Sequence, residues 1–256
     1  MRIAAIQHDI VWADREANFV RLEPMISRAV SDGAIFIVLS EMFSTGFVVD
    51  DQNIGEPTGG PSSEFLSTQA TRHGVWIGGS CPELGDDDAR PYNSFVLAAP
   101  DGTQHRYRKI HPFTYGNEHL HFRAGDSFVT VDVDDLRISL FVCYDLRFAD
   151  EFWGLAPDTD LYVVPANWPT SRQEHWLALL KARAIENQAY VVGCNRVGNG
   201  GGLTYSGASR IFSPLGDTLD SADASEAIIV ADVTAQHVRD VRAKYPFLRD
   251  RRSGAD

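Results

Sequence analysis

Ile138-Ser-Leu-Phe-Val-Cys143-Tyr-Asp-Leu-Arg-Phe148 is the stretch on which the reading of this chain turns. An apolar run rich in β-branched residues stops at Cys143. A short polar segment follows, and Phe148 to Leu155 reads as helix. A strand that ends in a cysteine and turns into a helix presents a thiol at a strand's carboxyl edge. Helical amides there favour a thiolate, or an oxyanion formed later. The plainer alternative is a buried structural cysteine, and the rest of the chain has to decide between the two.

Outward from this stretch, strands and helices interleave. Upstream, Arg2 to His8 reads as a strand, and Asp14 caps a helix to about Ser31 with Phe19, Leu22, Ile26 and Val30 along one face. Ala34 to Leu39 is a continuous apolar strand of the kind buried on both faces. Pro61 opens a helix that Gly74 stops near His73. Val75 to Cys81 is a strand, and Asp86-Asp-Asp88 reads as a solvated hairpin tip. Tyr92 to Ala98 and Thr103 to Arg108 flank the turn signal Asp101-Gly102. Phe113 to Asp126 reads as a long irregular loop. Two further strands, Phe128 to Val133 and Leu136 to Val142, lead into Cys143. Downstream, Asp160 to Pro165 is a strand, Arg172 to Glu186 a helix, and Tyr190 to Val197 a strand. Gly198 to Gly202 lacks the lysine of a phosphate loop and reads as a turn. Tyr205 to Phe212, Asp217 to Leu219 and Ala227 to Asp232 complete the strands, and a last helix starts near Thr234. The alternation argues one α/β domain over residues 1–256, with a C-terminal tail from about 234 in a subunit contact.

Composition narrows the function. With 256 residues, 44% hydrophobic and 23% charged, the chain is that of an ordinary globular protein. A net charge of −12 argues against a nucleic-acid partner. No apolar run is long enough to cross a bilayer, and Met1 to Gln7 turns polar too early for a secretory leader. Cys81, Cys143 and Cys194 cannot all pair and lack metal-ligand spacing, which fits a reduced compartment and a cytoplasmic protein.

Three strand ends carry reactive groups: Glu41, Lys109 and Cys143. Sites in α/β proteins gather where strand carboxyl ends meet. Each residue alone has an ordinary explanation, as surface acid, edge-strand lysine or core thiol. Together they specify a chemistry. A thiol is mostly protonated at neutral pH and needs a base. A partly desolvated glutamate can take that proton. A lysine ammonium, with the backbone amide of Tyr144, can hold the oxyanion of a tetrahedral intermediate. The expected reaction is amide hydrolysis through a cysteine acyl-enzyme. Arg147, Arg172 and Arg196 are candidates for a substrate carboxylate, although acids around Arg147 favour a structural ion pair there. Phe43, Tyr115, Tyr144 and Trp168 are candidate pocket walls. His119 and His121 lack an evident third ligand, so no metal site is expected. Arg183 and Glu186 are spaced to pair on a helix.

Ser-Glu41-Met-Phe, Tyr-Arg-Lys109-Ile-His-Pro and Cys143-Tyr-Asp-Leu-Arg-Phe resemble the Glu-Lys-Cys motifs of the nitrilase superfamily of carbon–nitrogen hydrolases. Asn167-Trp-Pro, His175-Trp, Ala182 to Gln188 and Asn195-Arg-Val-Gly resemble its omega-amidase branch. The resemblance implies a four-layer α-β-β-α sandwich and hydrolysis of the terminal amide of 2-oxoglutaramate or 2-oxosuccinamate to the oxo-acid and ammonia. It also implies that no cofactor is needed, that the protein is a homodimer, and that Glu118 is a second glutamate supporting the lysine. A broader aliphatic amidase, an N-carbamoyl amide hydrolase or a nitrilase fits the same fold. A thiol-based redox or binding protein is the alternative outside amide chemistry.

Overall fold

The computed structural model describes residues 1–51, 53–85 and 90–252. The Asp86 to Asp88 hairpin tip lies outside them. In chain order the first half comprises β1 (Arg2–Gln7), α1 (Arg15–Ser31), β2 (Phe36–Val38), α2 (Pro61–His73), β3 (Trp76–Glu83), β4 (Tyr92–Ala98), β5 (Gln104–Arg108) and α3 (Glu118–His121). The second half comprises β6 (Thr130–Val133), β7 (Leu136–Leu140), α4 (Ala149–Leu155), β8 (Leu161–Ala166), α5 (Gln173–Asn187), β9 (Tyr190–Asn195), β10 (Val197–Gly200), β11 (Leu203–Ser206), β12 (Arg210–Phe212), β13 (Thr218–Ser221), β14 (Ala227–Asp232) and α6 (Ala235–Lys244).

The strands form two six-stranded sheets, ordered β14-β1-β2-β3-β4-β5 and β13-β12-β9-β8-β7-β6, with β10 and β11 as a separate hairpin. In each sheet three neighbouring strands run parallel: β1, β2 and β3 in the first, and β7, β8 and β9 in the second. Their side chains alternate between two apolar layers, as period-2 geometry requires. Ile3, Val38, Leu140 and Val163 meet between the sheets. Ile6 and Ile37 face the layer under α1 and α2, with Leu22, Ile26 and Leu66. Tyr162 and Val164 face the layer under α5, with Trp176 and Leu180. Helix, sheet, sheet and helix therefore stack as an α-β-β-α sandwich. Each of these side chains is fully buried, which stabilises the fold by roughly 1.5–3 kcal/mol per large aliphatic group.

The parallel strands bring their carboxyl ends to one edge. Two antiparallel steps, β3 to β4 and β4 to β5, return β5 to the direction of β3. The ends of β2 and β5 thus lie on the same edge, together with the start of β4. This is the physical reason that residues 41, 93 and 109 can meet.

Several local expectations change. Gly207 and Ala208, at φ 65° and 60°, break the anticipated Tyr205 to Phe212 strand into β11 and β12. The Gly198 to Gly202 turn is in part strand β10, with the reversal at Gly201-Gly202. The loop from Phe113 holds a 3₁₀ turn at Thr114–Gly116 and the short helix α3. The 3₁₀ turn Cys143–Arg147 fills the polar segment before α4. The start of the C-terminal tail is docked on its own chain: Thr234 caps α6, and Val238 is buried between the sheets.

Candidate active site

Glu41, fully buried, follows β2. Its Oε1 accepts from Lys109 Nζ at 3.0 Å and from Asn93 Nδ2 at 2.8 Å. Its Oε2 accepts from the backbone amide of Asn167 at 2.7 Å. Asn167 ends the β8 side of the second sheet, so this bond ties the two sheet edges together. Asn93 Nδ2 also donates to Glu118 Oε1 at 2.9 Å, and Lys109 Nζ donates to Glu118 Oε2 at 2.8 Å. One ammonium and one carboxamide therefore hold two buried carboxylates. Lys109 uses two of its three N–H donors in this way, which leaves one for another acceptor.

Lys109 is 1% exposed. Burial opposes its charge, but Glu118 and then Glu41 outweigh burial and hold the ammonium above its ordinary range. Burial raises Glu118; Lys109 opposes that shift and the Glu41 charge adds to it. Cys143 keeps part of its surface on the cavity. Burial, followed by the charge of Glu41, pushes its thiol well up, against the pull of Lys109. The resting sulfur is thus a thiol, and nucleophilic attack requires a base beside it. Cys143 itself sits at φ 47°, a left-handed conformation that costs a non-glycine residue about 1–3 kcal/mol. That conformation turns the chain from β7 into the 3₁₀ turn. The amide of Tyr144 opens that turn, where N–H groups lack an intrahelical acceptor.

Glu41, Lys109 and Cys143 all line one cavity of about 350 Å³. Tyr144, Trp168, Arg147 and Arg172 line it too. Arg147 lies over the Trp168 ring at 4.8 Å and contacts His175 Nδ1 at 3.3 Å. Arg172 lies over Phe113 at 5.5 Å. Among the described residues neither arginine is in an ion pair, so the structural pair expected for Arg147 is absent. The cavity therefore offers a thiol, a carboxylate and an ammonium alongside two uncompensated guanidinium groups. That set suits attack on a carbonyl whose substrate carries an anion.

Other expectations are corrected. Phe43 is not a pocket wall. The left-handed turn at Met42 (φ 46°) breaks the alternation after Glu41, and Phe43 is buried with Phe19 and Phe65 under the helices. Tyr115 is 84% exposed, because the 3₁₀ turn carries it outward and leaves Phe113 at the cavity. Arg196 is fully buried, donates to Asp9 Oδ1 at 3.1 Å and lies over Tyr205. It is structural and does not line the cavity. His121 lines the cavity and His119 does not; the His119 carbonyl accepts from Arg90. Arg183 and Glu186 do pair, at 2.8 Å. Sequence reasoning missed Asn93, the Asn167 contacts, and Trp12, Phe47, Phe113 and Tyr205 of the lining. The strand-end rule reaches Asn167, but nothing local in Tyr92-Asn-Ser marks Asn93.

Comparison with known proteins agrees with this geometry. The family model described as carbon–nitrogen hydrolase matches residues 2–243. The chain is 38% identical over 253 residues to the omega-amidase YafV of Escherichia coli K12, covering 98% of this chain and 96% of that protein. It is 32% identical to a 2-oxoglutaramate amidase of Bacillus subtilis, covering 97% and 96%. A crystal structure of a CN-hydrolase superfamily protein from Xanthomonas campestris, with an arsenic adduct in its active site, superposes with a TM-score of 0.93 at 32% identity, covering 100% and 98%. A fold, a full-length family match and close relatives agree, and the chain belongs to the carbon–nitrogen hydrolase family.

Proposed function

We propose that this protein is an omega-amidase that hydrolyses the terminal amide of 2-oxoglutaramate or 2-oxosuccinamate to the oxo-acid and ammonia. The observation that carries the reading is the shared cavity of Glu41, Lys109 and Cys143 beside Arg147 and Arg172, neither of which is in an ion pair among the described residues. The names of the full-length relatives point the same way.

In this reading Glu41 takes the Cys143 proton as sulfur attacks the amide carbon. The remaining Lys109 N–H and the Tyr144 amide hold the oxyanion. The tetrahedral intermediate collapses, the C–N bond breaks, and Glu41 returns the proton to the departing ammonia. Water, deprotonated by Glu41, then attacks the thioester. The C–S bond breaks, and the thiol regains its proton. Glu118 holds Lys109 in place. Arg147 and Arg172 bind the far carboxylate, while Tyr144 and Trp168 wall the carbon chain. No bound metal or cofactor is required for these steps.

The domain is single, cytoplasmic and paired as a homodimer in this reading. The outer face of α4 and α5 suits that contact: Trp153 and Ile185 are exposed on those helices, and Arg251 of the tail stacks on Trp153 at 3.6 Å.

The test is ammonia release from 2-oxoglutaramate, compared with simple aliphatic amides, N-carbamoyl amino acids and nitriles. The wild type should prefer the oxo-acid amide, and Cys143→Ala should fold and release none. Arg147→Leu with Arg172→Leu should raise KM for the carboxylate-bearing substrate and leave that for a neutral amide near wild type. Equal rates on all classes, or turnover by Cys143→Ala, overturn the reading.

A further inference from the structure

Asp145 lies two residues beyond Cys143 and is fully buried. Its Oδ2 accepts from the backbone amide of Val142 at 3.0 Å and from the Tyr107 hydroxyl at 2.8 Å. Its Oδ1 accepts from the backbone amide of His111 at 3.0 Å and faces His111 Nδ1 at 3.1 Å. Tyr107 and His111 each stand two residues from Lys109, one on either side. A single carboxylate therefore grips the chain before the thiol and the chain on both sides of the ammonium. Cys143 is held at positive φ between Val142 and Asp145 themselves.

His111 extends this grip. Its Nδ1 faces Asp145, and its Nε2 faces Glu151 Oε1 of α4 at 3.1 Å. The ring stacks on Phe148 at 3.7 Å. A neutral imidazole has one N–H and can donate to only one of these carboxylates; the imidazolium donates to both. Burial works against the charge, but the hydrogen bond and charge of Asp145 and the charge of Glu151 raise His111 above its ordinary value. Lys109 opposes them from the strand side. Asp150 lies near Glu151, while Arg90, His119 and Arg123 line the same outer cavity as His111. His111, Asp145 and Glu151 are close enough together to suggest a cation site. However, the two ring nitrogens point at different carboxylates, and one ion cannot use both.

We infer that Asp145, bridged by His111 to α4, is a positioning residue that fixes Cys143 relative to Lys109, and that its grip depends on the imidazolium form of His111. The inference rests on the reading of Cys143 as the nucleophile, and neither residue lines the cavity that Cys143 faces. Rising pH removes one His111 proton and with it one of the two bridges. Lys109 and the Cys143 turn can then shift against each other, which lowers kcat more than it raises KM.

Three variants test this. Asp145→Asn puts an NH₂ group where donors already point. Tyr107→Phe removes one bond and keeps the ring. His111→Gln retains one donor and cannot titrate. The readouts are kcat and KM for the amide between pH 6 and 9, and the rate of Cys143 alkylation by iodoacetamide at fixed pH. Cys81 and Cys194 are fully buried, so alkylation of the folded protein reports Cys143. Asp145→Asn should lower kcat at least 100-fold with KM within threefold, and Tyr107→Phe about tenfold. Both should change the alkylation rate at least threefold. The wild type should show an alkaline decline in kcat, and His111→Gln should lose it. Where Asp145→Asn does not fold, Tyr107→Phe decides. Wild-type kcat and alkylation in Tyr107→Phe, or an unchanged alkaline limb in His111→Gln, overturns the inference. Alkylation needs no amide turnover, so a failure of the amidase reading stays distinguishable.

Discussion

Asn167 grips Glu41 twice: its backbone amide donates to the carboxylate at 2.7 Å, and its side-chain Nδ2 donates to the Glu41 carbonyl at 2.5 Å. The first bond belongs to the backbone and survives substitution. The second fixes the main chain from which the carboxylate projects. Asn167→Ala removes only the second and leaves a buried carbonyl unpaired, at a cost of about 1–3 kcal/mol. A base that wanders from its thiol loses rate more than affinity. The expected outcome is a kcat lower by roughly 10- to 100-fold, with KM little changed. Steady-state kinetics on the amide substrate check it, and a variant with wild-type kcat would remove Asn167 from the site.

Lys109 separates two buried carboxylates, Glu41 and Glu118, which a single Asn93 amide also joins. Without the ammonium, like charges face each other out of water, and one of them must take up a proton. Lys109→Met should abolish turnover and destabilise the fold by about 3–5 kcal/mol. The loss should be smaller at pH 5 than at pH 8, because protonation relieves the repulsion. Urea unfolding at both pH values reads this difference. Equal losses at the two would show that the carboxylates do not feel each other.

Glu41, Lys109 and Cys143 stood out in the sequence because each follows a stretch that reads as a strand: apolar runs precede Glu41 and Cys143, whereas Lys109 follows the polar Gln104 to Arg108 and reaches the same edge only through the antiparallel steps of β4 and β5. The sandwich followed from the family resemblance; the alternation of strands and helices specified only a single α/β domain. What escaped were residues whose part depends on the third dimension. Asn93 starts β4, which runs antiparallel to β3 and β5, and only the sheet order puts that start beside the ends of its neighbours. Phe43 was misplaced because a left-handed Met42 flips the alternation, and periodicity carries no sign of a single φ. Tyr115 and Phe113 exchanged places for a similar reason, a 3₁₀ turn in a stretch that reads as featureless loop.

His8 is fully buried, with Nε2 facing the Phe43 carbonyl at 3.3 Å. Burial lowers it from 6.5 to about 4; the Phe43 carbonyl opposes the shift and the Arg196 charge adds to it. In the unfolded chain the ring titrates near 6.5. Between these values the unfolded state binds a proton that the folded state refuses, so stability falls as pH drops from about 6.5 to about 4. The full change is on the order of 3 kcal/mol. Above pH 6.5 His8 adds no slope. His8→Gln should flatten this part of the stability profile, measured by urea unfolding at pH 7.5, 5.5 and 4.5. An acid slope equal to that of the wild type would assign it to other groups.

Trp12 lines the reactive cavity, and its indole is wedged between two separate loops. A Cβ on Gly46 would lie 2.8 Å from Trp12 Cε3, and one on Gly201 would lie 2.8 Å from Cη2. Gly200 closes on the ring from the same hairpin. Glycine at these positions is thus a condition for the ring's place, and the ring in turn cannot swing away to admit a larger acyl group. A hydrophobic wall of this kind discriminates by about 1–3 kcal/mol per methylene. Trp12→Ala should therefore raise the kcat/KM ratio of a six-carbon over a five-carbon omega-amide at least tenfold. Gly200→Ala, which forces the indole from its slot, should move the ratio the same way without deleting the ring. The pair of variants separates wall from mere contact: a ratio unchanged in both would mean that acyl size is measured elsewhere in the cavity.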